Sequence, residues 1–169
     1  EIVFKQPENF DYFRKRFRHH LGEHLELLAF CLMPTHFHFL VRVKTRNVRK
    51  VKDKIGIWLS GYAKAINKRF ERHGSLFQQH TKTRHVDDER YLKTLIAYIH
   101  NNPVRAGLVD APEEWQYSSV QLLLKPGTEP FAGWKLMLEQ FGSVDACMTF
   151  AKPLDDAERV RYWISPASH

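Results

Sequence analysis

After a Pro34-Thr35 break, the run His36-Phe37-His38-Phe39-Leu40-Val41-Arg42-Val43 alternates as a β-strand does, and it constrains the fold more than any other stretch. Side chains change face at every strand residue, so Phe37, Phe39, Val41 and Val43 go to one side and His36, His38, Leu40 and Arg42 to the other. Same-face neighbours on a strand sit about 7 Å apart at their backbones, close enough for two inward-leaning imidazoles to meet at one divalent metal. An isolated pair of this kind is more often two ordinary histidines, because two ligands are too few for a metal site. The rest of the chain decides between the two.

Upstream, Leu25 to Met33 is a nearly continuous apolar run of strand length, and the tight Pro34-Thr35 break makes it the antiparallel partner of the histidine strand. Before it, Phe10, Phe13, Phe17 and Leu21 recur at helical spacing after the Pro7-Glu8-Asn9 start signal, and Gly22 stops the pattern. The first apolar run, Ile2-Val3-Phe4, is short.

From Asn47 to His73, Val48, Val51, Ile55, Leu59, Tyr62, Ile66 and Phe70 keep steps of three and four, so a long amphipathic helix is expected, stopped by Gly74 and with a kink at Gly61. Its other faces carry Arg49, Lys50, Lys52, Lys54, Lys64, Lys68, Arg69 and Arg72. Ser75 to Val86 is expected as an outer strand whose Lys82 and Arg84 extend the basic surface. Residues 46–85 hold eleven Lys and Arg against two Asp and Glu, a local balance of +9, whereas 86–169 hold eight against twelve. Such an excess marks a polyanion partner, nucleic acid before membrane, although a basic helix face is also commonly just a solvated one.

Asp87-Asp88-Glu89 opens a further helix, with Leu92, Leu95, Ile96 and Ile99 on one arc and Tyr91, Tyr98 and Asn102 at its edge. Tyr98 and Asn102 form an i, i+4 pair. Pro103 disfavours helical geometry at Asn102, so the helix is expected to end there with the tyrosine in its last full turn. Taken alone, an edge tyrosine is usually half-buried packing. Beyond the turn Asn102 to Val109 come Trp115-Gln116-Tyr117-Ser118-Ser119, an apolar segment Val120 to Leu124, a Pro- and Gly-rich linker, and helical stretches around Trp134 to Phe141 and Ala157 to Trp163. The expected division is a domain over 1–124 and a helical extension over 125–169.

With 169 residues, 43% of them hydrophobic, the chain suits a single core. Two distant cysteines, Cys31 and Cys147, make no disulfide framework, and there is neither a secretory segment nor an apolar run near 18 residues, which together point to the cytoplasm.

Met33 to Val41, followed by Tyr98-Ile99-His100-Asn101-Asn102-Pro103-Val104-Arg105-Ala106-Gly107-Leu108-Val109 and then Trp115 to Ser119, resembles the single-tyrosine HUH transposases of the REP-associated type, over roughly residues 2–124. The resemblance implies an α+β fold, a ferredoxin-like antiparallel sheet with helices packed on one face, its first strand shortened or absent here. It implies that His36 and His38 are metal ligands, Asn102 the third ligand, and Tyr98 the nucleophile. It also implies cleavage of single-stranded DNA beside a hairpin, with a covalent 5′-phosphotyrosine intermediate. Thr35 stands where the family commonly has Asn, and Phe37 where it has a smaller apolar residue; neither change removes a ligand.

A donor set of two imidazoles and an amide oxygen suits Mg²⁺ or Mn²⁺. His80, His85 and His100 have a weaker claim on the site. Two other functions compete: a domesticated hairpin-DNA-binding module of the same fold, marked by a broken site, and a structural zinc site on His36, His38 and another histidine, which lacks a nearby fourth ligand. Partners are single-stranded or hairpin DNA, with the chain a monomer or a homodimer.

Overall fold

The computed structural model describes residues 1–77, 83–127 and 131–150. Its centre is an antiparallel pair, β1 (Leu25–Met33) and β2 (His36–Val43), joined by the Pro34-Thr35 turn and in register at Met33 with His36, Cys31 with His38 and Leu25 with Val43. A bulge between Leu27 and Ala29 puts Leu28 and Ala29 successively on the same side, and normal alternation resumes at Phe30. Because β1 is covered on both faces, it reads as a nearly continuous apolar run, interrupted only by Glu26, rather than an alternating one.

On the face bearing Phe37 and Phe39 lie α1 (Pro7–Leu21) and α2 (Val48–Arg69). Phe13 is wholly buried at the centre of this layer, its ring 4.4 Å from that of Trp58, whose indole N–H donates to the Phe13 carbonyl at 3.1 Å. The opposite face, bearing Cys31, Met33 and Leu40, is covered by α3 (Glu89–Arg105), α4 (Val120–Leu124), α5 (Gly133–Phe141) and α6 (Val144–Thr149). The fold is α+β as expected, with helices against both faces of the strand pair rather than one. Residues 131–150 share the second core: an added Cβ at Gly133 would stand 1.9 Å from the Leu28 carbonyl oxygen, so glycine is what lets α5 approach β1.

The Trp115 to Ser119 motif docks on the other edge of β1. The Leu32 N–H donates to the Tyr117 carbonyl and the Ser119 N–H to the Phe30 carbonyl, both at 2.9 Å, while the Trp115 indole N–H donates to the Leu32 carbonyl at 2.9 Å.

Four local expectations are corrected. α2 ends at Arg69 rather than His73, because Phe70 and Glu71 (φ 50°) leave helical geometry. It runs unbroken past Gly61, whose missing side chain makes room for the Arg16 guanidinium of α1; a Cβ there would stand 2.0 Å from that group. Residues 75–77 and 83–86 form no strand, since 83–85 are exposed and present no buried face to hold a register, while 78–82 lie outside the described residues, as do Ala157 to Trp163.

Finally, α3 continues through Pro103 to Arg105. The imino acid sits in the last turn, and the helix closes behind it in a Schellman arrangement, with the Leu108 N–H donating to the Pro103 carbonyl at 3.0 Å and the Gly107 N–H to the Val104 carbonyl at 2.9 Å. Gly107 has φ 66°, which is why a glycine closes the NPVRAG turn.

Candidate active site

α3 is opened by Asp88, whose Oδ1 accepts from the Arg90 and Tyr91 N–H groups at 2.8 and 3.3 Å. Its edge then faces the histidine side of β2. The His36 and His38 ring centroids are 4.8 Å apart, and the His38 ring meets the Tyr98 ring edge-on at 6.1 Å. Asn102, one turn beyond Tyr98, hydrogen-bonds through its side chain with His36. The structure thus brings together four residues from two elements separated by about sixty positions. Thr35 joins them, its Oγ1 3.0 Å from His36 Nδ1; a hydroxyl there orients the ring as an outer-shell partner does.

His38 and Asn102 are buried, at 7% and 6% exposure, and His36 is half-buried. Burial pushes the His38 imidazole down to about 3, and the neighbouring His36 charge acts in the same direction. Burial lowers His36 as well, partly offset by its hydrogen bond to Asn102. Both rings are therefore neutral at pH 7, the form that ligates metal. Asn102 Nδ2 is buried without a hydrogen-bond partner among the described residues. Since the two ends of an amide are assigned from their network, Asn102 offers one unsatisfied polar end to this cluster, and a bound ion or water would satisfy it. The donor set fits a divalent ion.

Among the described residues no third His, Cys, Asp or Glu joins His36 and His38, so the amide is the third donor available. Cys31 faces His38 in the register, but its thiol turns to Met33 Sδ at 3.6 Å, and burial pushes its pKa far up.

His100 lies away from the site. Buried at 2% exposure, it shares a 2.8 Å hydrogen bond between Nε2 and Ser119 Oγ, and Cys147 Sγ lies 3.8 Å from its Nδ1. Ser119 Oγ in turn accepts from the Phe30 N–H at 2.9 Å. This buried chain ties α3 to β1 and α6. Spacing alone could place His100 on the far side of α3 but could not find its partners, which are 19 and 47 residues away. His85 is exposed at the groove described next; His80 lies outside the described residues.

The basic residues divide. Arg49, Lys50, Lys52, Lys64, Lys68 and Arg69 are exposed along α2, Lys54 is half-buried, and Arg69 donates to Gln6 Oε1 at 2.9 Å. Arg72 is engaged by Glu1 and by Asn67 Oδ1. Lys82 lies outside the described residues. α2 covers the sheet face opposite Tyr98, so its charge does not lie over the site. A groove of about 740 Å³ runs along the outer edge of β2, from His38 to Val43, walled by Val48 and Trp58 of α2 and by Tyr91 and Leu95 of α3. Arg42 and Arg84 also line it.

A buried and a half-buried imidazole, both neutral, a side-chain amide and a phenol on a facing helix define a site of the kind that could transfer a phosphoryl group to tyrosine. Residues 11–102 match the IS200-like transposase family, and the chain belongs to that family. A Haemophilus influenzae protein named "Putative REP-associated tyrosine transposase" is 26% identical over 102 residues, 56% of this chain and 58% of that protein, so the chain spans somewhat over half of that relative. A solved structure of a REP-associated tyrosine transposase bound to a REP hairpin superposes with a TM-score of 0.54 at 16% identity, covering 73% of this chain and 72% of the other, a likeness of fold. Among the described residues, no helix is long and apolar enough to cross a membrane.

Proposed function

We propose that this chain cleaves single-stranded DNA beside hairpin elements and becomes joined to it through a 5′-phosphotyrosine at Tyr98. The observation that carries this is the convergence of Tyr98 and Asn102 of α3 on His36 and His38 of β2 in one largely buried cluster. Family membership makes the class transposase; the hairpin-bound structural relative supports the substrate.

In the step proposed, the Tyr98 oxygen forms a bond to phosphorus, the bond from phosphorus to the 3′-oxygen breaks, and the phenolic proton leaves through solvent as the 3′-oxygen gains one to become a hydroxyl. A phenol with an ordinary pKa near 10 is a weak nucleophile until its phenolate is favoured. His36, His38 and Asn102 would hold Mg²⁺ or Mn²⁺, which supplies Lewis-acid polarisation of the phosphate when bound. The protein's own part is to keep both imidazoles neutral by burial and to fix Tyr98 on a capped helix facing them. The β2-edge groove, with its aromatic walls, offers unpaired bases a surface for stacking, and Arg84 and Arg42, the latter donating to Glu26 Oε2 at 2.7 Å, line it.

The test is incubation of the chain with a pool of hairpin-flanked single strands and Mn²⁺. A covalent protein–DNA band is expected. If none forms on any hairpin substrate while the strands still bind, the chain is a hairpin-binding module instead.

The His36→Ala, His38→Ala double variant is expected to weaken Mn²⁺ binding at least about 100-fold by calorimetry, since it removes two of three donors. Equal affinity in parent and variant would sink the metal site. Reversing Arg49, Lys50 and Lys52 to Glu, exposed residues of the first turns of α2 beside the groove wall at Val48, is expected to lower affinity for all single strands by about tenfold or more. The dependence of log affinity on log salt should flatten by about two. Arg72 is unsuitable for such reversal because Glu1 and Asn67 engage it. An unchanged affinity and salt slope would make the N-terminal half of α2 a solvated face only.

A further inference from the structure

Tyr98, Asn102 and Arg105 occupy positions i, i+4 and i+7 of α3, within an arc of about 60°. Tyr98 and Asn102 are accounted for by the proposed chemistry; Arg105 is not, and it lies beyond residues 11–102 that match the family. Its guanidinium carbon is 5.0 Å from the Tyr98 ring centroid. The side chain is exposed, and among the described residues it makes no ion pair or hydrogen bond. Its backbone is nonetheless fixed, because it is the last helical residue before the Schellman closure at Gly107 and Leu108. A cation in the last turn is favourable to any helix, yet that benefit does not require the guanidinium to lie over a particular ring. Five donors in a planar fork, held beside a nucleophile and uncommitted to a carboxylate, match the non-bridging oxygens of a phosphodiester.

We infer that Arg105 grips the phosphate that Tyr98 attacks, binding its non-bridging oxygens from the side of the tyrosine ring. This rests on the function proposed above. It assigns Arg105 to both substrate positioning and stabilisation of the charge that builds on phosphate in the transition state.

The experiment first maps the cut site from the covalent adduct of the parent chain. It then compares strands carrying either the natural phosphate or a neutral methylphosphonate at that one linkage. Affinities are measured in the Tyr98→Phe background, which binds without reacting, and without divalent metal, so that the ion contributes nothing to the difference. The neutral linkage is expected to cost Tyr98→Phe about tenfold in affinity and to cost Tyr98→Phe, Arg105→Ala nothing further. On the Tyr98 background, Arg105→Ala should slow adduct formation about 100-fold at saturating strand, with Arg105→Lys recovering part of the rate, since it keeps the charge and loses the fork. Equal methylphosphonate penalties with and without Arg105 overturn this inference while leaving the proposed function standing. If the parent forms no adduct at all, the proposed function falls and this inference with it.

Discussion

Tyr98→Phe is expected to abolish the covalent protein–DNA adduct, a loss of at least about 10⁴-fold, while fold, metal uptake and strand affinity stay within about twofold of the parent. The substitution removes one oxygen and keeps the ring, and it is the ring that makes the contacts described around it, edge-on to His38 and beneath the Arg105 guanidinium. Asn102→Ala should behave differently. It removes the proposed metal donor and the hydrogen bond to His36 but leaves the proposed nucleophile, so some adduct should persist at high Mn²⁺. Tyr91 supplies the internal control: it lies on the same edge of α3, about 10 Å along the axis from Tyr98, and lines the β2-edge groove. Tyr91→Phe should cut normally. An adduct from Tyr98→Phe, or its loss in Tyr91→Phe, would mean that another group is the nucleophile, and gel analysis of the four proteins side by side distinguishes these outcomes.

The strand pair and its faces were legible in the sequence because period-2 alternation leaves no freedom. Once His36 and His38 share a side, Phe37 and Phe39 must meet α1 and α2 on the other. The i, i+4 relation of Tyr98 and Asn102 was equally forced by helical geometry, and only the helix end was misplaced. The local bias of Pro103 against helix is real, but it is outweighed where the next residues close a Schellman turn and Pro103 itself is buried.

Other features were not legible, because they depend on contacts between residues far apart in sequence. The role of Gly61 follows from where Arg16 falls, 45 positions earlier, and so a glycine expected to kink a helix instead marks a close approach. The basic excess of residues 46–85 was plain in the composition, yet composition cannot say that α2 stands behind the sheet from Tyr98. That placement leaves the basic helix behind the sheet, with the β2-edge groove running between α2 and α3 and reaching His38. Arg105 stands within the NPVRAG turn, and its seven-residue spacing from Tyr98 puts it on the same helical edge once the helix runs through Pro103. The expected helix end at Asn102 hid it.

Lowering the pH from 7 to 5 is expected to reduce folding stability by about 4 kcal/mol, through two histidines that the fold keeps neutral. Burial holds His38 at about 3 and His100 at about 4, against an ordinary 6.5 for both. Below pH 6.5 the unfolded chain takes up a proton at each of these positions and the folded chain does not, so stability falls as pH falls. Each residue contributes a loss of about 2 kcal/mol by pH 5, and the loss continues until the folded-state values near 4 and 3 are reached. His36, lowered in the same direction, adds to it. Against the roughly 5–15 kcal/mol by which domains are usually stable, this is enough to make acid unfolding begin above the range where carboxylates protonate.

Urea unfolding at pH 7 and pH 5 in the presence of a chelator measures the effect without any contribution from metal. His100→Gln keeps an amide able to hydrogen-bond Ser119 Oγ but cannot take up a proton, so it should remove about half of the pH dependence. It should do so without touching the His38 and Tyr98 cluster, and the adduct at pH 7 should survive. A stability that is flat between pH 7 and 5, or a His100→Gln variant that keeps the full slope, would show that these imidazoles are not held neutral by burial. At the proposed metal site the same burial should shift the acid release of the ion. Ordinary histidine ligands would lose Mn²⁺ below about pH 6, whereas a site built on His38 should retain it to lower pH, until the fold itself gives way.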